Sequence, residues 1–185
     1  MDYFGIKEDT AIFVHPADTY ARAYQDFDVS MNFSPVLSML PRRKLSELAT
    51  VATHGSVIFR NPYEWIESFY WFNRPQLTAE DTVDFCLDYR LVDYTGILQR
   101  IEHNFHRPVC RLFYDDLLAS PQQFYNTLLD HIGLPNHPVG AKRYWITENK
   151  QALEFSLEQI QRIEQAITDF ENLTGRNLSS WRRYA

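Results

Sequence analysis

The chain of 185 residues carries 18 Lys and Arg against 24 Asp and Glu, which gives a formal net charge of −6. This balance argues against a general nucleic-acid binder, which would have a basic footprint, although a local group of arginines could still hold a small anion. The length predicts one domain over residues 1–185, and the lack of a long apolar run or a signal-peptide pattern predicts a cytoplasmic protein without a transmembrane segment.

The first part of the chain predicts one strand and two helices. Residues 11–15 are mostly apolar and suit an early strand, and residues 18–27 suit a helix. Residues 28–43 contain two prolines that interrupt regular structure, so they predict an irregular connection. A short helix is then expected over residues 44–51.

Residues 57–72 form the most informative pattern in the sequence. Val57-Ile58-Phe59 is a compact apolar run that predicts a strand, and Pro62 suits the first turn of a helix. Arg60 then falls at the carboxyl end of the strand, where open α/β sheets bind ligands, and Ser68 falls about two turns into the helix. A guanidinium and a hydroxyl in these places can grip a phosphate. The alternative is a surface ion pair and an inert helical serine.

Three more helices are predicted, two of them before residue 109 and one after residue 150. Thr78 begins a capping box for a helix to about residue 89, and another helix ends near Phe105. A capping box at Ser156 opens the last long helix, which Gly175 ends. In the helix that ends near Phe105, the residues expected to be buried are Leu91, Tyr94, Leu98 and Ile101. The expected buried stripe of the last helix consists of Leu157, Ile160, Ile163, Ile167 and Phe170.

A second strand–helix pattern covers residues 109–132. Residues 109–113 predict a strand, which a short acidic turn follows before Ser120-Pro121 opens a helix. Gly133 ends that helix. Its apolar residues are Phe124, Leu128, Leu129 and Ile132.

Strands separated by helices predict an α/β fold with a short, mostly parallel sheet flanked by helices. Cys86 and Cys110 fall on predicted regular elements, so we expect reduced, buried thiols rather than a disulfide framework.

The two strand–helix patterns, in this order, resemble the sulfotransferase family over roughly residues 55–175. Arg60-Asn61-Pro62 followed by Ser68 is similar to the family's 3′-phosphate-binding segment, and residues 109–135 are similar to its late strand and helix. The resemblance implies a P-loop NTPase-like, three-layer sandwich. It also implies transfer of a sulfuryl group from 3′-phosphoadenosine 5′-phosphosulfate to a hydroxyl of a carbohydrate or small-molecule acceptor, without a metal. Arg60 and Ser68 would contact the 3′-phosphate of the donor and of adenosine 3′,5′-bisphosphate.

The first loop departs from the family's phosphosulfate-binding loop. Ala17 stands where a basic residue is expected, no glycine follows, and Asp18 adds negative charge. Thr19 and Arg22 are the candidates that would replace the missing contacts. Arg22 could equally pair with Asp18, one helical turn away. These departures favour an alternative function, a non-catalytic relative that keeps the fold and binds a protein or glycan partner.

Four further residues complete the predicted site. Sulfuryl transfer needs a base for the acceptor proton, and the candidates are His15 at the end of the first strand and His54 just before the second. Each could instead be a hydrogen-bonding turn histidine. Lys142 and Arg143 lie where the family has a basic loop over the 3′-phosphate, and they are predicted to contact the nucleotide.

Overall fold

The computed structural model describes residues 54–72, 78–105, 109–138 and 152–183. Within these ranges the strands are β1 (Gly55–Phe59) and β2 (Val109–Phe113). The α-helices of the same ranges are α1 (Pro62–Phe72), α2 (Ala79–Asp88), α3 (Tyr94–Phe105), α4 (Tyr114–Ala119), α5 (Pro121–His131) and α6 (Leu157–Thr174), and a 3-10 helix covers Ser179–Trp181. The elements predicted before residue 54 lie outside the described residues.

The chain divides into two compact units, and each is built from two separate stretches of sequence. The sheet unit comprises Met1–Phe59 with Leu98–Ala141, and the helical unit comprises Arg60–Ile97 with Lys142–Ala185. The boundary between them passes through α3. A single domain over residues 1–185 therefore stays a prediction.

The sheet unit contains a parallel pair of strands, which confirms the predicted α/β class with a short parallel sheet and flanking helices. The register runs from Gly55 opposite Val109 to Phe59 opposite Phe113. The rings of that last pair lie 5.8 Å apart, centre to centre. Beside them β2 and α5 bury a common apolar cluster, because the helix repeats its apolar residues every three to four positions. The cluster consists of Cys110, Leu112, Phe124 and Leu128, with Ile58, Leu117 and Tyr125 packed against it.

The acidic turn predicted after β2 is wrong, because residues Tyr114–Ala119 form helix α4. Asp115 and Asp116 occupy its first turn, where the positive end of the helix dipole stabilises carboxylates. Pro121 then opens α5 in its first turn, as predicted, and Gly133 follows the helix with a φ of 74°. This left-handed conformation favours glycine and confirms the predicted stop.

The helical unit has its own apolar core, and the predicted helix caps hold its helices in place. The Thr78 hydroxyl accepts a hydrogen bond from the Asp81 N–H at 3.1 Å. At the start of α6 both halves of the capping box at Ser156 are present, and Gly175 ends that helix in the left-handed conformation. The largest fully buried side chains of this unit include Trp181, Tyr63, Phe170, Ile66, Ile163, Ile167, Leu178, Val83 and Cys86.

Two predictions about buried helix faces need correction. Leu157 is 72% exposed rather than buried, since it lies in the first turn of α6. Gln159 is buried in its place, because its amide nitrogen donates to Asp84 at 2.8 Å while its carbonyl oxygen accepts from the Ser156 N–H at 2.9 Å. Leu91 is buried as predicted, but it precedes α3, which begins at Tyr94.

Cys86 and Cys110 are free thiols in this structure, and both are buried as predicted. Burial raises the pKa of Cys86 to about 12 and also raises the pKa of Cys110. Among the helices that the structure describes, none has the length and apolar character needed to cross a membrane.

Candidate functional site

The segment that links β1 to α1 is a capped helix start preceded by an arginine. We call Arg60–Pro62 the first junction. Asn61 is the cap: its side-chain oxygen accepts from the Tyr63 N–H at 3.0 Å, and its carbonyl accepts from the Trp65 N–H at 2.9 Å. Asparagine is among the best residues at this position, and proline at the next one loses no hydrogen bond. Arg60 is therefore held just outside the amino end of α1.

The Arg60 side chain turns back along the first turn of α1. Its Nε donates to Glu64 at 3.2 Å, and 27% of the arginine side chain and 43% of the glutamate side chain are exposed. An ion pair with this much exposure contributes little stability, because water screens it. A phosphate dianion can therefore replace the carboxylate as the partner of the guanidinium at small cost.

Ser68 lies one helical turn beyond Glu64 and is half-buried. Helical residues four apart are neighbours on one face, so Ser68 shares its face with Glu64, and Arg60 reaches that face through the Glu64 contact. The two predicted phosphate ligands thus belong to the same unit and to the same side of α1. The Glu64 carboxylate lies on this face between them.

The backbone of Arg60 has a buried partner. The Tyr94 hydroxyl, from the start of α3, donates to the Arg60 carbonyl at 2.8 Å. Burial raises the pKa of Tyr94 far above its usual range, and the nearby Arg60 charge only partly offsets this. The phenol therefore stays protonated, and remains a donor, throughout the working range of pH.

His54 is exposed and lies at the other end of β1. Its ring is 5.5 Å from the ring of His131, which ends α5. Five strand residues separate His54 from Arg60, and at about 3.3 Å per residue the intervening backbone spans roughly 20 Å. His54 and Arg60 therefore flank β1 at its opposite ends.

His15, Thr19, Arg22, Lys142 and Arg143 all lie outside the described residues. No group of three or more metal-ligating side chains occurs in the described ranges of the chain.

Sequence reasoning missed three residues that shape this site. Asn61 had a local signal, since an asparagine directly before a helix-opening proline is typical of a cap. No local signal pointed to Tyr94 or Trp181. Tyr94 is 34 positions from Arg60, and Trp181 is 120 positions from Asn61. Contacts at such separations follow from tertiary packing and leave no local pattern.

Comparison with known proteins supports the fold. Neither a family model nor a curated protein matches the chain. A crystal structure of a sulfotransferase from Alicyclobacillus acidocaldarius is similar, with a TM-score of 0.62, 17% sequence identity, and coverage of 84% of this chain and 68% of that one. At this identity the likeness shows the fold, which agrees with the α/β class.

Proposed function

We propose that this chain is a sulfotransferase-like protein whose first junction binds the 3′-phosphate of 3′-phosphoadenosine 5′-phosphosulfate. The observation that carries the proposal is the placement of Arg60. Its guanidinium lies against the start of α1, on the face that carries Ser68, in a chain whose fold is similar to that of a solved sulfotransferase.

Two physical effects favour an anion at this place. The amino end of α1 carries the positive end of the helix dipole, and a guanidinium can form two parallel hydrogen bonds to phosphate oxygens. Glu64 is the competitor, but an exposed carboxylate returns to water easily. On binding, the Arg60 guanidinium therefore exchanges its weak contact with Glu64 for a doubly charged phosphate.

The proposed reaction transfers the sulfuryl group of the donor to a hydroxyl of the acceptor, which is a carbohydrate or a small molecule. The bond between sulfur and the phosphate oxygen breaks, a bond from sulfur to the acceptor oxygen forms, and a base takes the acceptor proton. Adenosine 3′,5′-bisphosphate leaves. In this proposal Thr19 and Arg22 hold the phosphosulfate, and Lys142 and Arg143 cover the nucleotide.

Of the two histidines proposed as the base, His15 is the stronger candidate. His54 precedes β1, roughly 20 Å of extended backbone away from the residue that follows the strand. His15 follows the first predicted strand, the place where a donor loop of the proposed kind begins. His15→Ala is expected to abolish sulfuryl transfer from labelled donor, whereas His54→Ala leaves the rate within about twofold.

The decisive binding test compares two nucleotides that differ only in the 3′-phosphate. In calorimetric titrations, adenosine 3′,5′-bisphosphate is expected to bind at least about tenfold more tightly than adenosine 5′-monophosphate, since one charge-assisted contact contributes about 1.5–3 kcal/mol. Arg60→Ala removes that difference. Arg111→Ala is the matched control, because Arg111 is also ion-paired on the surface, to Glu102 at 2.8 Å. Equal affinities for the two nucleotides in the unmodified protein would refute the proposal.

A second candidate is a non-catalytic binding protein of the same fold. The observation that favours it is the pair Ala17-Asp18, which removes a cation and adds an anion in the predicted donor loop. Such a protein would bind the bisphosphate but release no sulfated product with any acceptor. Detection of transfer from labelled donor, lost in His15→Ala, excludes this second candidate.

A further inference from the structure

We propose that Tyr94 is a positioning residue for the phosphate site, and that the C-terminal segment Leu178–Arg183 holds both Tyr94 and the first junction in place. The inference rests on the proposed function, since it concerns how the Arg60 side chain is aimed at the 3′-phosphate. It assigns a binding role to residues far from Arg60 in sequence.

The first step is the carbonyl of Arg60. The hydrogen-bonded ladder of the strands ends at Phe59, and the first helical bond of α1 is accepted by Asn61. Arg60 thus lies between two regular elements, where rotation of a peptide unit would swing the side chain. The 2.8 Å bond from the Tyr94 hydroxyl opposes this rotation.

The second step is the packing that holds Tyr94. Its ring meets the ring of Phe170 at 5.5 Å and 69°, and the ring of Trp181 at 6.1 Å and 78°. Edge-to-face arrangements of this kind are favourable between aromatic rings. Trp181 is 1% exposed, so the phenol of Tyr94 rests against a fully buried partner.

The third step is a direct link from the C-terminal segment to the first junction. The Asn61 side-chain nitrogen donates to the Trp181 carbonyl at 3.3 Å, while the side-chain oxygen caps α1. Trp181 therefore supports Arg60 through Tyr94 on one side and through Asn61 on the other.

The C-terminal segment is itself tied to two helices. Arg182 pairs with Glu164 at 2.9 Å and with Glu171, both on α6. Arg183 forms two hydrogen bonds to Glu67 on α1, at 2.7 and 3.0 Å. A forked contact of this type fixes orientation as well as distance. The segment thus provides a rigid support between α6 and α1.

The test distinguishes a loss of Arg60 orientation, which affects only binding of the 3′-phosphate, from a general loss of stability, which affects both nucleotides. Tyr94→Phe keeps the ring packing and removes only the hydroxyl. We expect its affinity for adenosine 3′,5′-bisphosphate to fall about three- to tenfold, in the range of one buried hydrogen bond, while its affinity for adenosine 5′-monophosphate stays within about twofold. Tyr89→Phe is the control, since Tyr89 is a tyrosine of the same unit with 56% exposure, and it should change neither affinity.

A second variant keeps the inference testable if Tyr94→Phe does not fold. Asn61→Ser retains a good capping residue but is too short to reach the Trp181 carbonyl, and it should give the same selective loss. Should Arg60→Ala leave the bisphosphate affinity unchanged, the proposed function fails. If Arg60→Ala acts but both support variants leave the affinities unchanged, or weaken both nucleotides equally, the positioning role is overturned.

Discussion

In two places of this chain a strand is followed closely by a helix, but the charged residues at the start of the helix have opposite signs. After β1, Arg60 and Asn61 intervene before α1 begins at Pro62. After β2, α4 begins with the next residue, Tyr114, and its first turn carries Asp115 and Asp116. We call Tyr114–Asp116 the second junction.

The difference teaches that an anion site at a strand end is a property of a few side chains and not of the fold. At the first junction a cap satisfies the helix start and leaves a cation just outside it. At the second, the residue before the helix, Phe113, makes no side-chain cap bond, and two carboxylates already use the positive end of the helix. Only the first junction offers an incoming phosphate an unlike charge.

The largest expected effect on nucleotide affinity comes from replacing the positive charge of the first junction with a negative one, as in the second junction. Arg60→Glu should weaken binding of adenosine 3′,5′-bisphosphate about 100-fold, which corresponds to roughly 2.7 kcal/mol, because an attraction becomes a repulsion. Calorimetric titration measures the change. Arg111→Glu is the control and should stay within about twofold; a similar loss there would mean that overall charge, rather than the junction, governs binding.

The next effect concerns the cap that the second junction lacks. Asn61→Ala should lower the free energy of unfolding by about 1–2 kcal/mol, since it leaves the Tyr63 N–H of α1 without its cap. Ser120→Ala is the matched variant: Ser120 precedes α5 but makes no side-chain cap bond, so we expect a change below about 0.5 kcal/mol. Urea unfolding followed by circular dichroism gives both values. Equal losses in the two variants would contradict the assigned role of Asn61.

A smaller effect should follow from removing the carboxylate that competes for Arg60. Glu64→Gln is expected to strengthen bisphosphate binding about threefold, because the phosphate no longer displaces a charged partner. The contrasting variant is Glu67→Gln on the same helix. Glu67 accepts bonds from Arg183 and from the Leu153 N–H, so its loss should destabilise the protein without improving affinity. Weaker binding in Glu64→Gln would show that Glu64 helps to hold Arg60 for the ligand.

The sequence was informative wherever a structure depends on neighbours in the chain. The cap at Thr78, the capping box at Ser156 and the stop at Gly175 all rest on contacts within a few residues. The strand before Arg60 was predicted from its own apolar run, although its hydrogen-bonding partner is the distant β2. The prediction that Leu157 is buried was wrong, because helical periodicity assigns a residue to a face of the helix but does not show how far along the helix that face is covered. The site was less predictable for the same reason, since the bonds from Tyr94 to Arg60 and from Asn61 to Trp181 join distant segments.

The same reasoning applies to the separation between His54 and Arg60. A sequence shows that His54 and Arg60 are six positions apart, but their separation in space depends on the conformation between them. In a helix that spacing is about 9 Å, whereas along β1 it is about twice as long. We therefore propose His15 rather than His54 as the base, and the two histidine variants test this choice.

The smallest expected effect comes from a variant of the second junction, which tests whether this junction takes part in nucleotide binding. Asp115→Asn should lower the free energy of unfolding by about 0.3–1 kcal/mol, because it removes one favourable charge from the first turn of α4. It should leave the affinity for adenosine 3′,5′-bisphosphate within about twofold. Urea unfolding and calorimetric titration on one preparation measure both quantities. A several-fold gain in affinity would contradict the expectation that the second junction takes no part in nucleotide binding.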